Sequence, residues 1–197
     1  MYKKANEGLE RVWITGYRSY ELGVYGTQDP KLQVIQYLLD KTLRRYVDDG
    51  LRWVISGGQL GIEQWALSSA LAIKADLGVP KTAMMLPFTD FGQKWNEDNQ
   101  GRLAALKGQV DFSASVSASA YQSWRQLRAY QTFMLTHTDG AILVYDPEQE
   151  GKPKYDYDII TKYQETTTYP MELIDFYTLQ DAANEYEESQ RPDTWDE

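Results

Sequence analysis

Short apolar runs alternate along the chain with longer segments in which apolar residues recur every three or four positions. The apolar runs predict strands, and the three-to-four spacing predicts helices. One helix start is marked by Asp29-Pro30, since an aspartate cap followed by proline is a common way to begin a helix. The predicted strands are at 12–15, 51–55, 82–86, 110–116, 141–145 and 171–176. The predicted helices are at 30–47, 62–73, 95–106, 121–136, 155–164 and 179–186.

The order of these elements predicts the fold class. Strands that alternate with helices pair in parallel, because each helix must return the chain across one face of the sheet. We therefore expect an α/β protein, a Rossmann-like three-layer sandwich with a mostly parallel central sheet and helices on both faces. The 197 residues suffice for one well-packed core, so we expect a single domain over 1–188. The acidic segment 189–197 predicts a disordered tail.

Composition excludes several classes of protein. Without cysteine and with one histidine, His137, the chain cannot form disulfides, thiolate metal sites or a histidine-rich metal site, and we predict no metal. The formal net charge of −9 disfavours nucleic acid as a ligand, since duplex-binding surfaces usually carry a basic stripe. The N-terminal segment lacks the apolar stretch of a signal peptide, and no apolar run approaches a membrane span. We expect a cytoplasmic protein without a membrane partner.

The carboxyl ends of the predicted strands select the loops in which a ligand is expected. In open α/β sheets, ligands bind outside these ends, near the point where the strand order reverses. The loops that meet this condition contain residues 15–18, 56–63, 86–88 and 145–146.

The loop at 56–61, with the sequence SGGQLG and called here the glycine turn, follows a strand and opens a helix. Adjacent glycines allow the backbone to approach a phosphate, and free N–H groups at a helix N-terminus attract anions. A tight strand-to-helix turn without a ligand would use the same residues. The turn is not a Walker A loop, because no Lys-Ser or Lys-Thr follows. At this point both interpretations stay open.

Three side chains near these loops have a functional and a structural interpretation. Glu63, in the first turn of its helix, would favour the helix dipole, accept hydrogen bonds from ribose hydroxyls, or act as a general acid or base. Arg18 would clamp a phosphate or remain a solvated loop residue. Trp95 would stack on a base or fill the core.

The chain resembles the YpsA family of Gram-positive bacteria, part of the SLOG superfamily that also contains the LOG phosphoribohydrolases and the DNA-processing protein A fold. Four stretches carry the resemblance, in the expected order along about residues 11–180. They are ITGYR at 14–18 with ELG at 21–23, SGGQLGIE at 56–63 with WA at 65–66, LPF at 86–88 with Trp95, and YD at 145–146 with GKPKY at 151–155.

The resemblance implies a Rossmann-like fold with a pocket for a nucleotide or a nucleotide derivative, of the ADP-ribose or NAD type. It also implies a sensor or regulator linked to cell division or stress. The ligand-binding residues predicted from the resemblance and from the loop positions are Gly16, Tyr17, Arg18, Ser56, Gly57, Gly58, Gln59, Gly61, Glu63, Pro87, Phe88, Trp95 and Asp146. The PGGxGT run of the LOG enzymes is missing, since the corresponding strand ends VYDP at 144–147.

Three functions fit these observations. A nucleotide-binding sensor is favoured by the glycine turn, the Arg18 loop and the missing LOG run. The alternative is a hydrolase that cuts an N-glycosidic or phosphoester bond of a nucleotide, with Glu63 and Asp146 as candidate catalytic residues. The third is a protein-interaction module with a vestigial pocket. The sequence fixes no oligomeric state.

Overall fold

The computed structural model describes residues 8–191. Its strands are β1 (Arg11–Gly16), β2 (Trp53–Ser56), β3 (Lys81–Leu86), β4 (Phe112–Ser115), β5 (Gly140–Val144) and β6 (Met171–Ile174). Its helices are α1 (Pro30–Asp48), α2 (Ile62–Leu77), α3 (Glu97–Gln109), α4 (Trp124–His137), α5 (Lys154–Gln164) and α6 (Phe176–Ser189). The predicted order of strands and helices is confirmed.

The strands form one sheet in the order β4-β3-β2-β1-β5-β6, and all neighbours pair in parallel. The chain builds one half of the sheet from β1 out to β4 and then returns to the other side of β1 with β5. The strand order therefore reverses between β1 and β5, which is where ligands bind in such sheets. The predicted fold class, a Rossmann-like α/β sandwich, is confirmed.

The central strands are apolar on both faces because helices cover both. Val12, Trp13 and Ile14 of β1 are fully buried, and Ile142 and Leu143 of β5 are equally inaccessible. Buried strands of parallel sheets typically read as continuous apolar runs. This central core fixes the positions of the loops that follow β1 and β5.

Capping side chains set the first residues of two helices, which the apolar spacing had predicted at other positions. α3 begins at Glu97, after Trp95, because the side chain of Asn96 accepts a hydrogen bond from the Asn99 N–H at 2.9 Å. α6 begins at Phe176, three residues before the predicted start, because Asp175 accepts from the Thr178 N–H at 2.8 Å.

The apolar residues of α4 are not all part of the core. Tyr130, Met134 and Leu135 are buried, but Trp124 is 65% exposed and Leu127 is 43% exposed. A helix that connects parallel strands runs antiparallel to them, so the first turns of α4 lie at the carboxyl edge of the sheet. There they line a cavity instead of the core.

Two further predictions concern the ends of the chain and the membrane. The predicted tail at 189–197 lies mostly outside the described residues, which end at Arg191. Over residues 8–191, no helix has the length and apolar character needed to cross a membrane.

Candidate functional site

A cavity of about 560 Å³ lies at the carboxyl edge of the sheet, a volume in the range of small-molecule sites. Its wall contains Arg18 from the loop after β1, the glycine turn after β2, and Pro87 after β3. The first turns of α4 and the segment from Lys152 to Asp156 complete it. The cavity therefore joins both halves of the sheet at the position predicted from strand order.

Part of the wall is apolar and aromatic. Pro87, Phe91 and Leu127 contribute apolar surface, and Trp124 and Tyr155 add two aromatic rings. Trp124 is 65% exposed and Tyr155 is 67% exposed. Exposed rings in a cavity wall are suited to stacking on a planar ligand.

Three cationic side chains line the same cavity: Arg18, Arg128 and Lys152. None of them is in a salt bridge within residues 8–191. The Nη1 atom of Arg18 is buried and has no hydrogen-bond partner among these residues. This set is suited to an anionic ligand, and the guanidinium groups match the geometry of a phosphate.

The glycine turn is shaped by close contacts. A Cβ at Gly57 would lie 2.2 Å from Glu63 Oε2 and 2.7 Å from the hydroxyl of Tyr130. Gly61 has a φ of +102°, and a Cβ there would lie 2.5 Å from the backbone nitrogen of Ser19. Glycine at 61 therefore lets the start of α2 pack directly against the loop after β1.

The carboxylate of Glu63 binds to part of the glycine turn that could otherwise bind an anion. This carboxylate accepts hydrogen bonds from the Gln59 N–H at 2.8 Å and from the Thr15 hydroxyl at 2.9 Å. The next N–H, that of Leu60, donates to the side chain of Gln59 at 3.0 Å. Two N–H groups that a phosphate would use are thus already engaged within the protein. The cationic side chains remain to bind it.

Burial raises the pKa of Glu63 to about 7. Asp156 nearby raises this pKa further, while the hydrogen bonds from Gln59 and Thr15 lower it. A carboxyl group with a pKa near neutrality can both donate and accept a proton.

Asp156, in the first turn of α5, is a second carboxyl group in the cavity wall that the sequence did not reveal. It lies 3.0 Å from the hydroxyl of Thr15 and accepts a hydrogen bond from the Gln131 side-chain amide at 2.6 Å. Burial raises its pKa as well. The GKPKY stretch ends one residue before it and was the nearest signal in the sequence.

Several predicted residues lie beneath the cavity and outside its wall. Ser56 donates a hydrogen bond to the Ile14 carbonyl at 2.5 Å. The Tyr17 hydroxyl accepts from the Asp146 N–H at 3.0 Å and donates to the carbonyl of Gln149. A Cβ on Gly16 would lie 2.7 Å from the carbonyl oxygen of Val144 on β5. These contacts hold the loops after β1 and β5 in place. The predicted residues in the wall itself are Arg18, Gly57, Gly58, Gln59, Glu63 and Pro87.

The remaining predicted residues are also outside the wall. Phe88 and Trp95 both pack on Phe91, with ring centroids 5.7 and 5.2 Å apart. Asp146, a candidate catalytic residue, accepts hydrogen bonds from the Glu148 N–H at 2.8 Å and the Phe176 N–H at 3.2 Å. Its carboxylate therefore closes the loop after β5 and contacts the start of α6, and the structure pairs Glu63 with Asp156 instead.

No group of three or more histidine, cysteine, aspartate or glutamate side chains that could hold a metal ion occurs over residues 8–191.

Comparison with known proteins gives one consistent result. The YpsA family model, described as the YspA SLOG family, matches residues 12–179. The UPF0398 protein of Latilactobacillus sakei is 57% identical over 91% of this chain and 97% of its own length. That of Levilactobacillus brevis is 56% identical over 92% and 96%, and that of Leuconostoc citreum is 53% identical over 92% and 96%. The resemblance seen in the sequence is confirmed, and this chain belongs to the YpsA family of SLOG proteins.

Proposed function

We propose that this protein binds a nucleotide or nucleotide derivative, of the ADP-ribose or NAD type, in the cavity at the carboxyl edge of the sheet. The observation that carries the proposal is the presence of two buried polar atoms in the cavity wall, Arg18 Nη1 and the Tyr130 hydroxyl. Neither has a hydrogen-bond partner within the described chain. Buried polar groups are nearly always paired, so these two support a polar ligand.

The chemistry of the wall matches the parts of a nucleotide. Arg18, Arg128 and Lys152 supply positive charge for phosphates. Trp124 and Tyr155 supply exposed rings for a base. Membership of a SLOG family, which has a nucleotide-related fold, supports the same ligand class.

The role of such binding would be that of a cytoplasmic sensor or regulator in a Gram-positive cell, linked to cell division or stress and read by a protein partner. The family resemblance and the missing LOG run support this role. A pulldown with and without the bound nucleotide tests it, and a partner that responds to the nucleotide is the expected result.

Calorimetric titration with ADP-ribose, NAD, AMP and nucleotide sugars tests the binding proposal. We expect at least one of these to bind, and Arg18→Leu to weaken its affinity by about 10- to 100-fold, because a hydrogen bond to a charged group is lost. Arg52→Leu is the matched control, since Arg52 precedes β2 at the opposite edge of the sheet and pairs with Glu10. Absence of binding across the panel, or equal affinities of the two variants, would contradict the proposal.

A specific observation favours a second candidate, a hydrolase acting on the bound nucleotide. Glu63 and Asp156, called here the carboxyl pair, both line the cavity and both contact the hydroxyl of Thr15. Paired carboxyl groups in a ligand cavity are typical of general acid–base chemistry.

A further inference from the structure

The carboxyl pair is assembled from four elements around one hydroxyl. Glu63 Oε1 and Asp156 Oδ2 lie 2.9 and 3.0 Å from Thr15 Oγ1, so these two carboxyl oxygens are less than about 6 Å apart. The Gln59 N–H fixes Glu63, and the Gln131 amide on α4 fixes Asp156. Each carboxyl group is thus held in place independently of the other and faces the same cavity.

The two contacts of the Thr15 hydroxyl are both hydrogen bonds only when the carboxyl pair holds one proton. The hydroxyl of Thr15 has a single hydrogen, so it can donate to only one of the two carboxyl groups. The other contact is a hydrogen bond only when that carboxyl group is protonated and donates to the Thr15 oxygen. Neither carboxyl group is in a salt bridge within residues 8–191, and the positive charge of Arg18 lowers the pKa of both. With one proton on the pair, one acid and one base lie side by side.

We propose that Glu63 and Asp156 act as an acid–base pair that hydrolyses the N-glycosidic bond of the bound nucleotide derivative, with Thr15 as their positioning residue. This inference rests on the proposed binding function, and it goes beyond that function by naming the bond that is cut and the second carboxyl group.

The sequence did not distinguish between cleavage of an N-glycosidic bond and cleavage of a phosphoester bond. The charge of the carboxyl pair does. Cleavage of a glycosidic bond passes through an oxocarbenium-like transition state, whose positive charge at the sugar carbon is stabilised by a carboxylate. Phosphoester cleavage places negative charge on phosphoryl oxygens, which cations stabilise and a carboxylate opposes. The carboxyl pair therefore favours the glycosidic bond, while Arg18, Arg128 and Lys152 are placed in the wall to hold a phosphate.

The step is balanced in protons and electrons. The protonated carboxyl group donates its proton to the base nitrogen as the bond from this nitrogen to C1 of the sugar breaks, and the bonding electrons leave with the base. The oxygen of a water molecule bonds to C1, and the ionised carboxyl group takes a proton from this water. The products are the free base and the sugar with a hydroxyl at C1, and the pair again holds one proton.

Release of free base in ¹⁸O-labelled water tests the inference. AMP, NAD and ADP-ribose are incubated with the wild-type protein, and the products are separated by chromatography, while dissociation constants are measured by calorimetry. We expect free base with the label in the C1 hydroxyl of the sugar. Glu63→Gln and Asp156→Asn should each lower the rate at saturating ligand by about 100-fold or more. Asp158→Asn is the matched control, because Asp158 is exposed on the same helix and outside the cavity wall.

Thr15→Val separates positioning from a purely structural effect. It removes the shared hydroxyl and keeps a β-branched side chain in β1, so we expect the pH profile of the rate to shift while the dissociation constant stays within about threefold. An unchanged pH profile would remove Thr15 from the inference.

The possible outcomes distinguish the two proposals. A ligand that binds without release of base, or release that survives both carboxyl variants, overturns the inference and leaves the binding proposal intact. Release of phosphate instead of base overturns it in favour of the phosphoester reaction. Failure of every ligand to bind overturns the binding proposal, and the inference with it. Thermal unfolding of each variant shows whether a lost rate reflects a lost fold.

Discussion

The side chain of Glu63 changes what the glycine turn can bind. Its carboxylate accepts the Gln59 N–H, so a group of the protein occupies a position at the helix start where phosphates often bind. The same carboxylate reaches Thr15 on β1 and lines the cavity. The glycine turn thus shapes the acidic part of the site.

The raised pKa of Glu63 predicts a dependence of stability on pH. Burial raises this pKa from 4.5 to about 7, with Asp156 and Arg18 as the charged neighbours. Protonated Glu63 therefore stabilises the folded state. Its contribution to the free energy of unfolding is fully present below pH 4.5 and is lost as the pH rises through about 7. Because Glu63→Gln removes this titration, its free energy of unfolding relative to wild type should rise by about 2 kcal/mol between pH 5 and pH 8.

Urea unfolding at the two pH values measures this difference. Glu187→Gln, an exposed change on α6, should follow the wild type at both. If the free energy of unfolding of Glu63→Gln differed from that of the wild type by the same amount at pH 5 and pH 8, the raised pKa would be contradicted.

Gly61 allows a second residue-scale prediction. Gly61→Ala should destabilise the protein by at least about 2 kcal/mol, because the new Cβ meets backbone atoms of Ser19 and Tyr17 and the residue has a φ of +102°. Gly101→Ala is the control: Gly101 lies in α3 with nothing near its Cβ position, and alanine there should stabilise by up to about 1 kcal/mol. Thermal unfolding of both variants is the measurement, and similar effects of the two would contradict the packing argument.

At the scale of elements, one carboxylate connects two loops that carry cations. Glu21 accepts hydrogen bonds from the Arg18 N–H at 2.8 Å and from the Lys152 N–H at 2.7 Å. The loop after β1 and the start of α5 are therefore held at a fixed separation across the switch point. The positions of both cations in the cavity depend on this connection.

Glu21→Ala should weaken nucleotide binding by about three- to tenfold, although Glu21 is outside the wall of the cavity. The reason is that Arg18 and Lys152 lose their common anchor. Calorimetric titration of the ligand identified with the wild type measures the effect. Glu187→Ala removes the same charge on α6 and should bind normally, whereas unchanged binding by Glu21→Ala would show that the loops keep their positions without it.

At the scale of the whole molecule, the cavity spans the two halves of the sheet. The loop after β1, the glycine turn and Pro87 form one side, and α4 with the start of α5 forms the other. A ligand in this cavity contacts both halves and would stabilise the folded state as a whole.

A bound nucleotide should therefore raise the midpoint of thermal unfolding. At a ligand concentration of 100 times the dissociation constant the stabilisation is about 2.7 kcal/mol, which corresponds to a shift of roughly 5–10 °C for a chain of this size. Differential scanning calorimetry with and without the ligand measures it. Arg18→Leu at the same ligand concentration should show a much smaller shift, and an equal shift would place the ligand elsewhere.

Much of the fold was predictable because its signals are local. Apolar runs and helical spacing gave the order of β1 to α6, and strand order gave the edge at which the cavity lies. The site was predictable only in part. Arg18, Gly57 and Glu63 sit next to strand ends, so the loop rule found them, whereas Trp124 and Leu127 carry a helical spacing that a core helix would share.

The sequence by itself determined the alternation of strands and helices, the glycine turn and the acidic group at its end, because each depends on neighbours a few residues away. Only the tertiary structure decided which carboxyl group joins Glu63. Thr15 and Asp156 are 141 positions apart, and their contact exists because the return of the chain to β5 brings the start of α5 beside the end of β1. The same packing directs Asp146 toward α6 and away from the cavity. Long-range packing of this kind leaves no periodic signal in the chain.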